Sequence, residues 1–200
     1  IRYRGSTVRV HFALNGLLEI KGVTKEQMGT VFSISPSIEY LERASDSVKY
    51  GRLPDNPYVE FTIPSVINPK FAPNGKHVLS ATVQYAPYHL RGMNWSEELK
   101  SQLKNNVVSV LENYIPNFSS MIESSSLLTP VDLESQFGLT EGNLNHGEMT
   151  LDQFMFMRPT ISSAQYKSPI ENLFLCGPGT HPGGGLHGTN GFNAAKIILK

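Results

Sequence analysis

The residues whose types and spacing could do chemistry gather near the end of the sequence. Seven glycines, Gly177, Gly179, Gly183, Gly184, Gly185, Gly188 and Gly191, fall within fifteen residues. A short all-apolar run, Leu173 to Cys176, precedes them, and Asn193 to Leu199 follows. Such a glycine density suits backbone that turns tightly or comes close to a ligand. The run before it predicts a strand buried on both faces. The stretch after it predicts a helix, whose N-terminus offers free N–H groups and the positive end of its dipole. The unit would form a concave, donor-rich place for a phosphate, a carboxylate or a polar ring edge. A purely structural glycine turn is the competing reading. The dinucleotide pattern G-x-G-x-x-G needs an acidic residue about 20 positions further on, and the sequence ends first. The phosphate-loop pattern fails as well, because no Gly-Lys-Ser/Thr occurs.

Other candidates are weaker. His181 and His187 flank the glycines, but a metal site needs a third ligand, and nothing fixes His146 as one. His146-Gly147-Glu148 could offer an acid/base pair, or it could be a polar loop. Cys176 reads as a small core residue rather than a reactive thiol. Phe154, Met155, Phe156 and Met157 could line an apolar tunnel or simply pack. Tyr85, Tyr88 and Trp95 are open to the same two readings. No catalytic residue is assigned.

Several elements must position these residues. Val8 to Leu14 alternates and predicts a strand, as do Thr30 to Ser35, Tyr58 to Ile63 and His77 to Tyr85. Asn15-Gly16 and Asn74-Gly75 predict turns. Pro36 can open a helix carrying Ile38, Leu41, Ala44 and Val48, with Gly51 at its end. Five prolines between Gly51 and Pro73 predict loop around a short strand. Asn94 to Ile115 is the clearest helix, with Asn94 and Glu97 placed as a capping box and Leu99, Leu103, Val107, Leu111 and Tyr114 on one face. Ser119 to Ser126 reads as loop, Leu127 to Gly138 as a short strand and short helix, and Leu151 to Met157 as either.

The 200 residues suit one domain or one and a half. Lys plus Arg equals Asp plus Glu at 17 each, so no basic excess points to nucleic acid. Cys176 is the sole cysteine, which excludes an intrachain disulfide and a cysteine-based zinc site. A reducing, cytoplasmic compartment is the simplest expectation. No apolar run approaches the roughly 18–20 residues of a membrane span. The sequence opens on Ile1 and an early strand, which suggests a piece of a longer protein.

The run LFLCGPGTHPGGGLHGTNGFNAAKIIL resembles the C-terminal flavin motif of phytoene dehydrogenase-like FAD oxidoreductases, within the amine-oxidase-like flavoprotein group. The resemblance continues upstream through Gly75-Lys76-His77-Val78, Gln84-Tyr85-Ala86-Pro87-Tyr88, Tyr114-Ile115-Pro116-Asn117-Phe118, Leu128-Thr129-Pro130, His146-Gly147-Glu148 and Arg158-Pro159. It implies FAD as cofactor. Gly177, Pro178, Gly179 and Thr180 would lie near the ribityl and pyrophosphate. Gly184, Gly185, Leu186, His187 and Gly188 would run along the isoalloxazine edge, with Asn193 in the helix aimed at its pyrimidine end. Pro178 stands where many relatives have an acidic residue, and Gly188-Thr189-Asn190-Gly191 lacks a proline common in the family, which puts single contacts in doubt.

The implied fold is α+β, a mixed and mostly antiparallel sheet with helices on one face. Residues 1–168 would be a partial substrate domain. Residues 169–200 would belong to the FAD domain, whose N-terminal Rossmann half is absent from this chain. The implied activity is hydride transfer to flavin from an apolar, isoprenoid or lipid-like small molecule. Alone, the chain is expected to hold FAD weakly and to be inactive. Expected partners are the missing FAD domain, with peripheral membrane contact or a homodimer through an exposed edge at Leu173 to Cys176 as further options. A non-catalytic module keeping the same fold is the alternative.

Overall fold

The structure is a computed structural model and describes residues 1–185 and 187–200. Strict alternation builds its first strand, β1 (Thr7–Leu14): Val8, Val10, Phe12 and Leu14 are fully buried, while Arg9, His11 and Ala13 point to the other face. The other strands are β2 (Phe32–Ile34), β3 (Tyr58–Thr62), β4 (His77–Gln84) and β5 (Ile122–Leu128). They form one sheet in the order β2-β3-β4-β1-β5, and every pairing is antiparallel. β1 pairs with β4 through Arg9 opposite Thr82 and His11 opposite Ser80, and with β5 through His11 opposite Ser126.

The helices are α1 (Ile38–Tyr50), α2 (Pro64–Ile67), α3 (Glu97–Glu112), α4 (Phe118–Met121), α5 (Pro130–Phe137) and α6 (Thr189–Ile198). α1 is capped by Ser37, whose hydroxyl accepts from Tyr40 N, and stops at Gly51 with φ of 63°. α3 buries Leu103, Val107, Val110 and Leu111 in the same cluster as the inward residues of the sheet. The fold is thus α+β with a five-stranded antiparallel sheet. Among the described residues no helix is long and apolar enough to cross a membrane.

Two compact units are present. One is Ser6–Asp132, which holds the whole sheet and α1 to α4; the other is Ile1–Gly5 with Leu133–Lys200. These are units of packing. The division at residues 168 and 169 is one of motif and stands apart from it.

Several expectations are corrected. α3 starts at Glu97 behind Ser96, whose hydroxyl accepts from Leu99 N, so Asn94 does not cap it. Ser96 is itself a good cap and lies directly against the helix. Ser119 to Ser126 is not a loop: Phe118–Met121 is a helical turn that holds Ser119 and Ser120, and Ser124 to Ser126 belong to edge strand β5. Ladder bonds to β1 override the low strand preference of that polar run. Leu173 to Cys176 is not a buried strand. Its one ladder contact is a bridge between Phe174 and Lys167, and Leu173 is 46% exposed. Among the described residues no longer strand lies beside it. For the same reason Cys176 is exposed rather than a core residue.

Candidate functional site

The glycine loop is held by polar bonds rather than by a greasy core. Asn190, only 4% exposed in the first turn of α6, sends its amide to the carbonyls of Thr180 (3.0 Å), His181 (3.1 Å) and Gly183 (3.2 Å). The Thr180 hydroxyl donates to Gly177 O at 2.8 Å and accepts from Asn190. Buried Tyr166 donates its hydroxyl to His181 O at 2.8 Å and accepts from the Asn193 amide at 3.0 Å. One amide and one phenol thereby fix the path of residues 177 to 183. Buried carbonyls without donors would be costly, which is why two polar side chains sit inside this small unit.

The glycines divide into two kinds. A side chain at Gly183, whose φ is 135°, would meet Met149 Cε at 2.8 Å, and one at Gly184 would meet Asn145 Oδ1 at 2.6 Å and its Cα at 3.0 Å. These two let the loop lie against residues 145 to 149. Around Gly177 (φ 94°) and Gly188 (φ 67°), by contrast, nothing among the described residues lies within 4 Å of an added Cβ. Their glycine is required by backbone conformation, and no described residue fills the space beside them.

α6 starts at Thr189, earlier than the Asn193 start expected, with Gly188 in the left-handed region and no side-chain cap. His187 stands beside this start. Its Nδ1 accepts from Thr189 N at 3.2 Å, so its Nε2 carries the proton and donates to Gly184 O at 3.2 Å. Gly185 is exposed, Pro178 and Gly179 are half-buried, and Gly179 sits near His146. Leu186 lies outside the described residues. Gly177 to Thr180, Gly184, Gly185, His187, Gly188 and Asn193 are thus gathered around one loop and one helix start, with Thr180 and Asn193 committed to internal bonds.

The wall behind Gly183 and Gly184 is organised by Arg158, 2% exposed. Its guanidinium donates to the carbonyls of Asn145, Gly147 (3.4 Å), Glu148 (3.3 Å) and Gln153 (3.3 Å). Burial pushes its pKa down. The Glu148 side chain turns outward to Arg4 and Arg2, and Arg2 also grips Asp152 at 2.7 Å. The Arg4 guanidinium holds the Glu148 carboxyl below the usual range. Glu148 is therefore a latch for the N-terminal segment, and the structure does not pair it with the exposed His146 as an acid and a base. Among the described residues no three His, Cys, Asp or Glu side chains converge as metal ligands. Phe154 is half-buried beside Gly183, while Phe156 is 69% exposed.

Sequence reasoning missed Asn190, Tyr166 and Arg158. The usable signal for Asn190 was an amide in the first turn of a helix that follows a glycine loop, where buried carbonyls need a donor. Tyr166 carried no local signal, and Arg158 stood in the sequence only as part of the Arg158-Pro159 match, with no role attached.

No protein-family model matches the chain. Individual relatives do. The pyridine nucleotide-disulfide oxidoreductase domain-containing protein 2 of Rattus norvegicus is 42% identical over 161 residues, 80% of this chain and 28% of that protein. One of the limonene dehydrogenase subunits of Castellaniella defragrans is 27% identical over 178 residues, 85% of this chain and 31% of its own length. A 4,4'-diapophytoene desaturase of Staphylococcus aureus is 31% identical over 142 residues, 68% of this chain and 27% of its own length. The chain therefore spans less than a third of the relatives named here. Their names bear out the resemblance read from the glycine run, and the chain is a relative of the phytoene dehydrogenase-like FAD oxidoreductases.

Proposed function

We propose that residues 177 to 193 close over the flavin of an FAD-dependent oxidoreductase that takes hydride from an apolar, isoprenoid or lipid-like small molecule. One observation carries the reading: two left-handed glycines, Gly177 and Gly188, border space that is open among the described residues, beside a helix start where Gly188 supplies no cap and His187 takes the Thr189 N–H. A flat, polar-edged ring would lie against this open stretch of backbone, whose main-chain N–H groups are the donors such a ring edge needs. Bound flavin supplies a two-electron hydride acceptor. This chain's residues would hold and orient it, and the α6 start would favour negative charge on the reduced ring. Asn190 and Tyr166 would keep the loop in shape through the carbonyls they hold.

The relatives' names as oxidoreductase, dehydrogenase and desaturase support catalysis over a purely structural role. The G-x-G-x-x-G pattern with its acidic partner does not occur in the chain, so most of the FAD would be held by a nucleotide-binding domain of the same protein. That domain would also cover apolar side chains exposed in this unit, among them Phe192 at 61% and Leu199 at 85%.

The test is flavin content. The intact protein is expected to carry FAD, and the 200-residue chain alone to retain almost none. Gly188→Val should lower the flavin occupancy of the intact protein at least about tenfold, since a β-branched residue cannot adopt φ near 67° without strain. Flavin that stays at full occupancy in Gly188→Val would sink the reading. Anaerobic bleaching by candidate compounds then identifies the substrate.

A further inference from the structure

The face of the sheet turned away from the α3 core carries charge in an unusual arrangement. Reading across the strands, one row runs Ser33, Glu60, Thr82, Arg9, Leu128, and the next runs Thr62, Ser80, His11, Ser126. Arg9 is half-buried at the middle of this face. Its guanidinium donates to the hydroxyls of Thr82 and of Ser80, the latter at 3.0 Å. A guanidinium has five N–H donors, so these two bonds leave donors of the fork open. Among the described residues no carboxylate lies within ion-pairing distance of Arg9. Glu60, two strands away in the same row, accepts instead from the Tyr58 hydroxyl at 3.3 Å, which is in turn bonded to Ser33. Burial lowers the pKa of Arg9, and burial with the nearby Arg9 charge lowers that of His11.

A half-buried guanidinium that is bonded to two neutral hydroxyls, with Glu60 acting on it only at longer range, keeps donors ready for an anion. We infer that Arg9, with Ser80 and Thr82 beside it and His11 in the adjoining row, forms a binding site for the carboxylate of a small amphipathic acid. The planar fork matches a carboxylate in two parallel bonds. A single cation, with Glu60 on the same face, suits a monoanion better than a phosphate dianion. Leu128, half-buried next to Arg9 in its row, offers apolar contact to the first carbons of the acid. Naming this acid as the substrate rests on the flavoenzyme reading above; the site itself does not. It lies wholly within Ser6–Asp132 and uses no residue of the glycine loop.

The test titrates the full chain with decanoate, decanol and inorganic phosphate, following the Arg9 Nε–H and the His11 ring by NMR. Decanoate should bind at least about tenfold tighter than decanol, because only the acid can take up the open donors. In the unsubstituted protein, bound decanoate should raise the His11 pKa, since it adds negative charge beside the imidazole. Arg9→Gln should abolish the preference for decanoate over decanol, and Arg9→Lys, which keeps the charge but not the fork, should retain part of it. Equal binding of decanoate and decanol, an unmoved His11 pKa, or phosphate binding tighter than decanoate would overturn the proposal. The unsubstituted protein decides the matter even if Arg9→Gln does not fold. Loss of flavin binding would leave this titration standing, and a failed titration would leave the flavin reading standing.

Discussion

Residues 6–132 and residues 133–200 are held together by different physics. In the first, twenty buried apolar residues form one cluster between the sheet and its helices, with Phe12 and Phe118 packed edge to face at 5.2 Å. In the second, the buried apolar side chains among the described residues are Leu133, Tyr166 and Ala194, and the stitching is polar: Asn190 to three carbonyls, Arg158 to four, Tyr166 to one. Apolar burial is non-directional and tolerates small shifts. Hydrogen bonds to fixed carbonyls do not, and each is modest in net value. The first region is built to be stable. The second is built to keep one loop in one shape.

The largest expected effect breaks the first region. Phe12→Ala removes a fully buried ring from the centre of β1 and should cost about 3–5 kcal/mol of global stability, seen as a lower denaturation midpoint. The second region should respond locally. Asn190→Ala leaves the carbonyls of Thr180, His181 and Gly183 without their donor and should cost about 1–3 kcal/mol. Amide exchange should quicken from residue 177 to 190 while β1 and β4 keep their protection. Equal loss of protection in β1 would erase the contrast. Smaller again is Ser37→Ala, which removes the cap of α1 and should cost about 1 kcal/mol.

The same contrast explains what could be read in the sequence. β1, β3, β4, α1 and α3 were legible because alternation and helical spacing are local records of one buried face. β5 was not, since a serine-rich edge strand is held by its ladder to β1 and not by its own composition. Gly177 and Gly188 stood out by type. The wall that Gly183 and Gly184 lie against did not, because Asn145 and Met149 reach them from more than thirty residues away. Arg158 stood out only within Arg158-Pro159, a match that assigns it no role. Only the fold shows that it is buried and spent on backbone carbonyls.

The smallest expected effect separates the two regions by pH. His11 in the sheet has its pKa lowered by burial and then by Arg9, so folding favours its neutral form. Below the ordinary histidine value of about 6.5 the unfolded chain binds the extra proton more readily. The sheet's His11 contribution is thus present above that value and is lost as pH falls through the window beneath it. Glu148 has its pKa lowered by the Arg4 guanidinium, with burial opposing and Arg2 assisting. Its contribution is present above the ordinary glutamate value and is lost only as pH falls further, through the lowered value. Asp152, held down chiefly by Arg2, follows it. All three groups touch solvent, so screening keeps each effect small. Residue-resolved amide exchange from pH 7.5 downward should therefore show β1 losing protection first and the segment from 145 to 153 later. Simultaneous loss in one window would mean that the two regions are coupled more tightly than their separate chemistries require.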